Sequence, residues 1–98
     1  MRVFRMPSEF EWDKGNKGKN WLKHRVSDAE CEEVFFDHTK KLAKDIFHCD
    51  QEERYILIGK TKIGRVLFVV FTMRKHKVRI ISARNLNRKE QYLYEETT

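Results

Sequence analysis

Hydrophobic and polar positions follow different periods in the two halves of the chain. The alternating segment Phe10–Trp12 predicts a short opening strand. Asp13 is placed to cap a helix from about Lys14 to His24, which would pack through Trp21 and Leu22. The N-terminal part is therefore predicted to begin with a strand and a helix.

A second helix is predicted at about residues 28–36. Ser27 and Glu30 form the sequence pattern of a capping box, in which each side chain accepts a hydrogen bond from the other residue's backbone amide. Cys31, Val34 and Phe35 have the spacing of a buried helical stripe. Lys40–Ile46 is expected to form an edge strand.

The pattern becomes extended after a polar loop at Phe47–Glu53. Arg54–Gly59, Val66–Met73 and Lys77–Ala83 are rich in β-branched and aromatic residues and predict a three-stranded antiparallel meander. The middle segment is apolar at successive positions, so it should be central and covered on both faces. A second capping box at Asn87–Glu90 predicts a closing helix toward Glu96. The predicted class is α+β: an N-terminal strand and two helices, an antiparallel β-meander sheet and a C-terminal helix.

Composition narrows the class of protein. A chain of 98 residues with 40% hydrophobic residues is expected to form a single domain over residues 1–98. Its longest apolar run, Val66–Phe71, is too short to cross a membrane, and the N-terminus lacks the apolar block of a signal peptide. Cys31 and Cys49 lack C-x-x-C spacing, which fits a reducing compartment. We therefore expect a cytoplasmic protein.

Charge is distributed unevenly along the chain. Residues 1–53 carry a net charge of −2, and residues 54–98 carry +8. A basic half of this kind favours a polyanionic partner, because cationic side chains that contact phosphates release condensed counterions. The alternative is a solvated basic surface without a partner.

Register in the last hairpin indicates how its cations are arranged. A two- or four-residue loop centred on Lys75-His76 places Thr72 opposite Arg79, whereas a three-residue loop would break this register. One face then carries cations and a hydroxyl that suit a phosphodiester, and Arg84 and Arg88 follow the last strand. This face comprises Thr72, Arg74, Lys77 and Arg79, and the opposite, core face comprises Phe71, Met73, Val78 and Ile80.

Proton transfer has a few candidate side chains. His24, next to Lys23, can act as a general acid or base near neutral pH, or its ring can cap the carbonyls at the end of a helix. His76 at the hairpin tip leaves the same choice open, and Tyr94 can reach the basic face or serve in packing. The His and Cys residues lack metal-ligand spacing, and there is no nucleotide-binding glycine motif, so no cofactor is predicted.

Motifs in a fixed order resemble a known family. The chain carries F-E-W-D at Phe10–Asp13 and N-x-x-K-H at Asn20–His24, followed by V-S and V-F-x-D. E-E-R, I-G and G-R come next, and R-I-I-S-A-R at Arg79–Arg84 is the most specific piece. The tail N-R-K-E-x-x-x-Y at Asn87–Tyr94 completes a resemblance to BrnT-type toxins over about residues 10–96.

The resemblance implies a fold similar to RelE ribonucleases and a function as the toxin of a type II toxin–antitoxin pair. Such toxins inhibit translation by cleaving RNA without a metal, through attack of the ribose 2′-hydroxyl on the adjacent phosphate. It also implies neutralisation by a BrnA-like antitoxin with a ribbon-helix-helix domain, and binding to operator DNA only through that complex.

The resemblance also suggests roles for particular residues. Arg79 and Arg84 would hold the scissile phosphate, Arg54 would add positive charge, and His24 or Tyr94 would move protons. Arg25 stands where the family usually has Gly, and Asn16 where it usually has Lys. The remaining candidate RNA- or phosphate-binding residues are Lys23, Thr72, Arg74, Lys77, Ser82 and Arg88.

Two other kinds of function fit the same residues. One is a non-catalytic module whose basic face receives an antitoxin's acidic side chains and which co-represses transcription. The other is a general RNA-binding domain, although the strands lack the aromatic-in-basic pattern of an RNA-recognition motif.

Overall fold

Residues 9–46 and 52–95 are described by the computed structural model. The strands are β1 (Glu9–Phe10), β2 (Lys41–Asp45), β3 (Arg54–Lys60), β4 (Val66–Arg74) and β5 (Lys77–Asn85). The α-helices are α1 (Lys19–His24), α2 (Asp28–Glu33) and α3 (Gln91–Glu95), and 3-10 turns occupy Val34–Phe36 and Arg88–Glu90. The α+β class is confirmed.

The sheet has the strand order β1-β5-β4-β3-β2. β2 to β5 are antiparallel, as the meander prediction requires, and β2 lies at an edge. β1 instead runs parallel to β5, pairing Glu9 with Lys77 and Phe10 with Val78. The sheet is therefore mixed. After β1 the chain passes through the helices to the opposite edge of the sheet, where β2 lies.

One face of the sheet supports the hydrophobic core. α2 and the 3-10 turn after it contribute Cys31, Val34 and Phe35, all fully buried, which confirms the predicted stripe. The Phe35 and Phe71 rings meet edge to face at 5.0 Å. A Cβ on Gly59 would lie 2.8 Å from the Val34 carbonyl oxygen, so glycine lets this layer sit close to β3.

The first helix is shorter than the sequence predicts. Gly18 has a φ of 72°, and residues 14–18 form turns, so α1 begins at Lys19 instead of Lys14. The prediction that Trp21 and Leu22 anchor it was wrong, because their exposed fractions are 46% and 79%. The buried anchor is Asn20, a polar residue that an apolar pattern cannot reveal.

Two asparagines attach this segment to the exposed edge of β5. The Asn20 side-chain oxygen accepts a hydrogen bond from the Ala83 amide at 3.0 Å. The Asn16 side chain donates to the Ile80 carbonyl at 3.2 Å and to the Glu11 carbonyl at 2.9 Å. These asparagines continue the hydrogen bonding that β1 begins. Backbone groups of β5 that lie beyond the end of β1 therefore also have partners.

The last hairpin has the register that the two-residue loop predicts. Thr72 pairs with Arg79 and Arg74 with Lys77, and the loop residues Lys75 and His76 have φ values of 49° and 71°. Positive φ at both positions is the geometry of a type I′ turn. Met73 was expected in the core but is 38% exposed, because it lies near the hairpin tip, beyond Phe71.

Both capping boxes form as predicted, at Ser27 with Glu30 and at Asn87 with Glu90. The closing helix starts as a 3-10 turn and continues as α3 to Glu95. The predicted loop at residues 47–51 and the helix end at Glu96 lie outside the described residues. Within the described ranges, no helix is both long and apolar enough to cross a membrane.

Candidate nucleic-acid interface

The sheet face opposite α2, here called the outer face, carries most of the predicted site residues. Side chains alternate along strands and paired residues share a face, so the register arranges them in three rows across β3, β4 and β5. The first row is Arg54, Thr72 and Arg79; the middle row is Ile56, Val70 and Ser82; the third row is Ile58, Phe68 and Arg84.

Ser82 lies between two arginine rows. Adjacent rows are two residues apart along a strand, about 7 Å at the usual rise per residue. Arg79 lies in the first row and Arg84 in the third, so each is one row, about 7 Å, from Ser82. An arginine side chain spans this distance. β5 has a bulge at this point, since Val70 pairs with Ser82 while Phe71 pairs with Ile80.

Carboxylates from the segment after β1 hold Arg79. Its guanidinium donates to the two Asp13 oxygens at 2.9 and 3.0 Å and to Glu11 at 3.1 Å. The Asp13 contact raises the pKa of Arg79, and the same hydrogen bond lowers the pKa of Asp13. A phosphate that binds Arg79 must therefore replace or share these carboxylates.

Arg74, at the end of the hairpin, is paired in a similar way. It donates to Glu52 at 2.7 and 3.1 Å and lies 3.7 Å from Glu11. Its hydrogen bond to Glu52 raises the pKa of Arg74 and lowers that of Glu52.

Glu90 holds Arg84 in a bidentate ion pair. Both distances are 2.8 Å, and this contact raises the pKa of Arg84 and lowers that of Glu90. The guanidinium also stacks over the Phe68 ring, 4.3 Å from its centroid. The closing turn thereby orients Arg84 above the third row.

Other predicted cations have no such carboxylates. Within the described residues, the side chains of Arg54, Lys23, Lys77 and Arg88 make no hydrogen bond or ion pair. Thr72 differs, because it is 2% exposed and its hydroxyl donates to the Glu53 carbonyl at 2.8 Å. Arg54 is therefore the available cation of the first row.

A pocket of about 430 Å³ lies between α1 and β5. It brings Lys23 and His24 together with Ser82, so the pocket connects α1 to the middle row of the outer face. Leu22 and Ile81 contribute apolar surface. The remaining lining residues are Lys19 and Asn20.

Arg65 caps the end of α1. It donates to the carbonyls of His24 and Arg25 at 3.1 and 2.7 Å, and it pairs with Glu30 at 3.0 Å. Its Nε also donates to the Asn85 side chain at 2.6 Å. The capping role considered for the His24 ring belongs to Arg65, and the His24 ring makes no hydrogen bond within the described part of the chain.

Tyr94 lies away from the first row. Its hydroxyl donates to Asp37 at 2.6 Å and lies 2.7 Å from the Thr39 hydroxyl, while the Lys60 ammonium sits over its ring. Burial, together with the Asp37 hydrogen bond, raises the pKa of Tyr94. Burial also opposes ionisation of Asp37, but the hydrogen bonds it receives outweigh this effect and lower its pKa.

Sequence reasoning missed the residues that organise this face. Asn16, Asn20 and Arg65 fall in segments whose polar residues have no periodic pattern, although Asn20 and Arg65 stand within the quoted motifs. Glu11 and Asp13 lie more than 60 positions before Arg79, so no local signal couples them to it.

The thiol of Cys31 is buried. Burial raises the pKa of the Cys31 thiol to about 12, so it stays protonated at neutral pH. No group of three or more His, Cys, Asp or Glu side chains in residues 9–46 and 52–95 is arranged to hold a metal ion.

A comparison with known protein families assigns most of the chain to one family. Residues 12–90 match the family model described as the ribonuclease toxin BrnT of a type II toxin-antitoxin system. The chain belongs to the BrnT toxin family. This match covers most of the chain, including all three rows of the outer face and the α1 pocket. No curated protein matches the chain significantly. Membership in the BrnT family implies an RNA target and an antitoxin partner.

Proposed function

We propose that this protein is a metal-independent endoribonuclease that inhibits translation inside the cell that makes it. It would be neutralised by a BrnA-like ribbon-helix-helix antitoxin, through which the complex binds operator DNA. Family membership supports ribonuclease activity, and the position of Ser82 between two arginine rows and beside His24 supports the location of the site.

The proposed reaction places the scissile phosphate over Ser82 and Val70. Arg79 and Arg84 approach it from the two flanking rows, and Arg54 adds charge from the first row. The ribose 2′-oxygen bonds to phosphorus, the bond to the 5′-oxygen breaks, and the products carry a 2′,3′-cyclic phosphate and a 5′-hydroxyl. The arginines neutralise charge on the phosphoryl oxygens as the attack proceeds.

Proton transfer is assigned first to His24. It lines the pocket that contains Ser82, and its ring is not engaged by any described residue. Tyr94 is the weaker candidate, because its proton is held by Asp37 and its pKa is raised. One group must accept the 2′-hydroxyl proton, and a proton must reach the leaving 5′-oxygen.

Cleavage of a defined RNA by the purified chain in EDTA tests the proposal. We expect a 2′,3′-cyclic phosphate terminus, and a loss of cleavage of about a hundredfold or more in Arg79→Ala and Arg84→Ala proteins. Lys62→Ala, which removes an exposed cation remote from the outer face, is the charge-matched control. Circular dichroism establishes that each variant is folded. Equal cleavage by all variants, or cleavage that requires added metal, would contradict the mechanism.

A second candidate function follows from the carboxylates that already bind these arginines. Because Arg79 and Arg84 donate hydrogen bonds to carboxylates within the chain, the outer face can equally bind acidic side chains of an antitoxin. The protein would then be a non-catalytic co-repressor module. RNA that remains intact with and without ribosomes, together with tight antitoxin binding that Arg79→Ala weakens, would favour this function.

A further inference from the structure

The pocket between α1 and β5 has features that the phosphate-binding rows do not explain. Its volume of about 430 Å³ lies within the range of small-molecule sites. Lys19 and Lys23 are four residues apart on α1, so they lie on one helical face, and both line the pocket. Neither ammonium group has a partner among the described side chains.

The bulge in β5 adds an apolar surface to this pocket. Ile81 is the extra residue between the pairs Phe71–Ile80 and Val70–Ser82, so it has no partner on β4. Bulges redirect side chains, and Ile81 lines the pocket with Leu22 of α1, whose side chain is 79% exposed. An apolar surface between two lysines and a serine suits a molecule with a planar base and a phosphate.

Two sets of hydrogen bonds hold α1 in place beside the sheet. The buried Asn20 side chain is hydrogen-bonded to the Ala83 amide, and Arg65 holds the carbonyls at the helix end. Asn20 also lines the pocket, whereas Arg65 is not among the lining residues. The two lysines therefore project from a helix that Asn20 attaches to β5 and that Arg65, from the segment before β4, holds at its end.

We infer that this pocket binds one nucleotide of the RNA, next to the scissile phosphodiester over Ser82. Lys19 and Lys23 contact its phosphate, and the base rests on Leu22 and Ile81. This inference rests on the proposed function, because it assumes that the ligand is RNA. It assigns substrate binding to Lys19, Leu22 and Ile81, which are not members of the three rows.

A binding experiment separates the pocket from general electrostatic attraction. The probe is a single-stranded RNA with 2′-O-methyl groups, which lacks the attacking hydroxyl and stays intact. We expect Lys19→Ala/Lys23→Ala to weaken binding about tenfold or more at low salt and to reduce the salt slope by about 0.7, because both lysines contact one phosphate. Lys14→Ala/Lys17→Ala removes the same charge from the neighbouring turn and should change affinity less than about twofold. Equal losses in both variants would overturn the inference.

A second measurement locates the ligand. Adenosine 5′-monophosphate added to isotope-labelled protein should shift the amide resonances of residues 19–24 and 81–82. Leu22→Ala, a change at an exposed side chain, should reduce these shifts without unfolding the protein. Shifts confined to other parts of the sheet would place the nucleotide elsewhere and overturn the inference. If wild-type protein binds the methylated RNA through the pocket but cleaves no RNA, the proposed function fails while the nucleotide site stands.

Discussion

At the scale of single residues, the outer face consists of arginines held by carboxylates. Arg79 is shared between Asp13 and Glu11, and Arg84 is held by Glu90. Guanidinium groups bind carboxylates and phosphates with the same paired donors, so each carboxylate occupies the place that a phosphate oxygen would take. Substrate must therefore compete with the chain's own acids, and these acids keep the arginines ordered when RNA is absent.

Glu90 should give the fold a measurable dependence on pH. Its pKa is lower in the folded protein, mainly because Arg84 donates to it, so it adds stability above its unfolded pKa of about 4.5. That contribution is lost as the pH falls through the lower, folded pKa. We expect Glu90→Gln to reduce the free energy of unfolding at pH 7 by about 0.5–1 kcal/mol, since the pair is partly exposed.

Urea unfolding at a series of pH values measures this effect. The difference between wild-type and Glu90→Gln proteins should shrink as the pH falls below about 4.5. Glu95→Gln, at an exposed position in α3, is the control and should show no such difference. A constant difference at all pH values would show that ionised Glu90 does not stabilise the fold.

Phe71 should contribute more to stability than any residue of the outer face. Its side chain is fully buried between the rings of Phe35 and Tyr55, at centroid distances of 5.0 and 5.5 Å. We expect Phe71→Ala to cost about 3–5 kcal/mol in urea unfolding, because it removes buried surface and leaves a cavity. Phe36→Ala, at a 60% exposed side chain, should cost less than about 0.5 kcal/mol. Similar costs at both positions would mean that the core and solvent faces have been interchanged.

At the scale of elements, strands were predicted more accurately than the first helix. β3, β4 and β5 match the predicted segments within two residues, because period-two runs of β-branched and aromatic residues are a strong local signal. α1 lost its first five predicted residues because Gly18 takes a positive φ. Asp13 does accept a backbone hydrogen bond, as a capping residue would, but this bond comes from the Gly15 amide and closes a turn instead of starting a helix.

Arg25 shows strain at the end of α1. It has a φ of 57° at the helix C-cap, where the family pattern usually has Gly, and its guanidinium lies 5.5 Å from the Trp21 ring centroid. Non-glycine residues in this conformation cost about 1–2 kcal/mol. We expect Arg25→Gly to be more stable than Arg25→Ala by about 1 kcal/mol in urea unfolding.

This pair of variants isolates the backbone effect, because both lack the contact with Trp21. Arg25→Ala retains the positive φ with a Cβ, whereas Arg25→Gly removes the Cβ. Equal stabilities would indicate that the chain around position 25 readjusts when the side chain is removed.

At the scale of the whole molecule, the outer face carries arginines paired with carboxylates, and a pocket beside α2 carries three acidic residues together with Lys60 and Lys62. The three rows present Arg54, Arg79 and Arg84 on the outer face, whereas Glu32, Glu33 and Asp37 line a pocket of about 660 Å³ beside α2. Residues 54–98, with a net charge of +8, supply all three arginines of the rows. RNA should approach from the outer face.

The salt dependence of RNA binding tests this placement. For single-stranded RNA, the logarithm of the affinity should fall by about 0.7 per phosphate contact for each unit of log salt concentration. Arg54→Ala should reduce this slope by about 0.7, because Arg54 makes no hydrogen bond or ion pair within the described residues that a phosphate would have to replace. Lys62→Ala, beside α2, should leave the slope unchanged. A larger effect of Lys62→Ala would place the RNA on the opposite side of the sheet.

The sequence alone was sufficient for the α+β class, the meander and both capping boxes, because local periodicity and capping chemistry act over a few residues. It left the length of the last hairpin loop open, and the structure decided for a two-residue loop and its register. The family motifs likewise depend only on residue order. Tertiary structure decided which carboxylates hold Arg79, that Asn16 and Asn20 complete the edge of β5, and that His24 meets Ser82 in one pocket. These contacts join residues 58 to 68 positions apart, and only the pairing of strands brings such residues together.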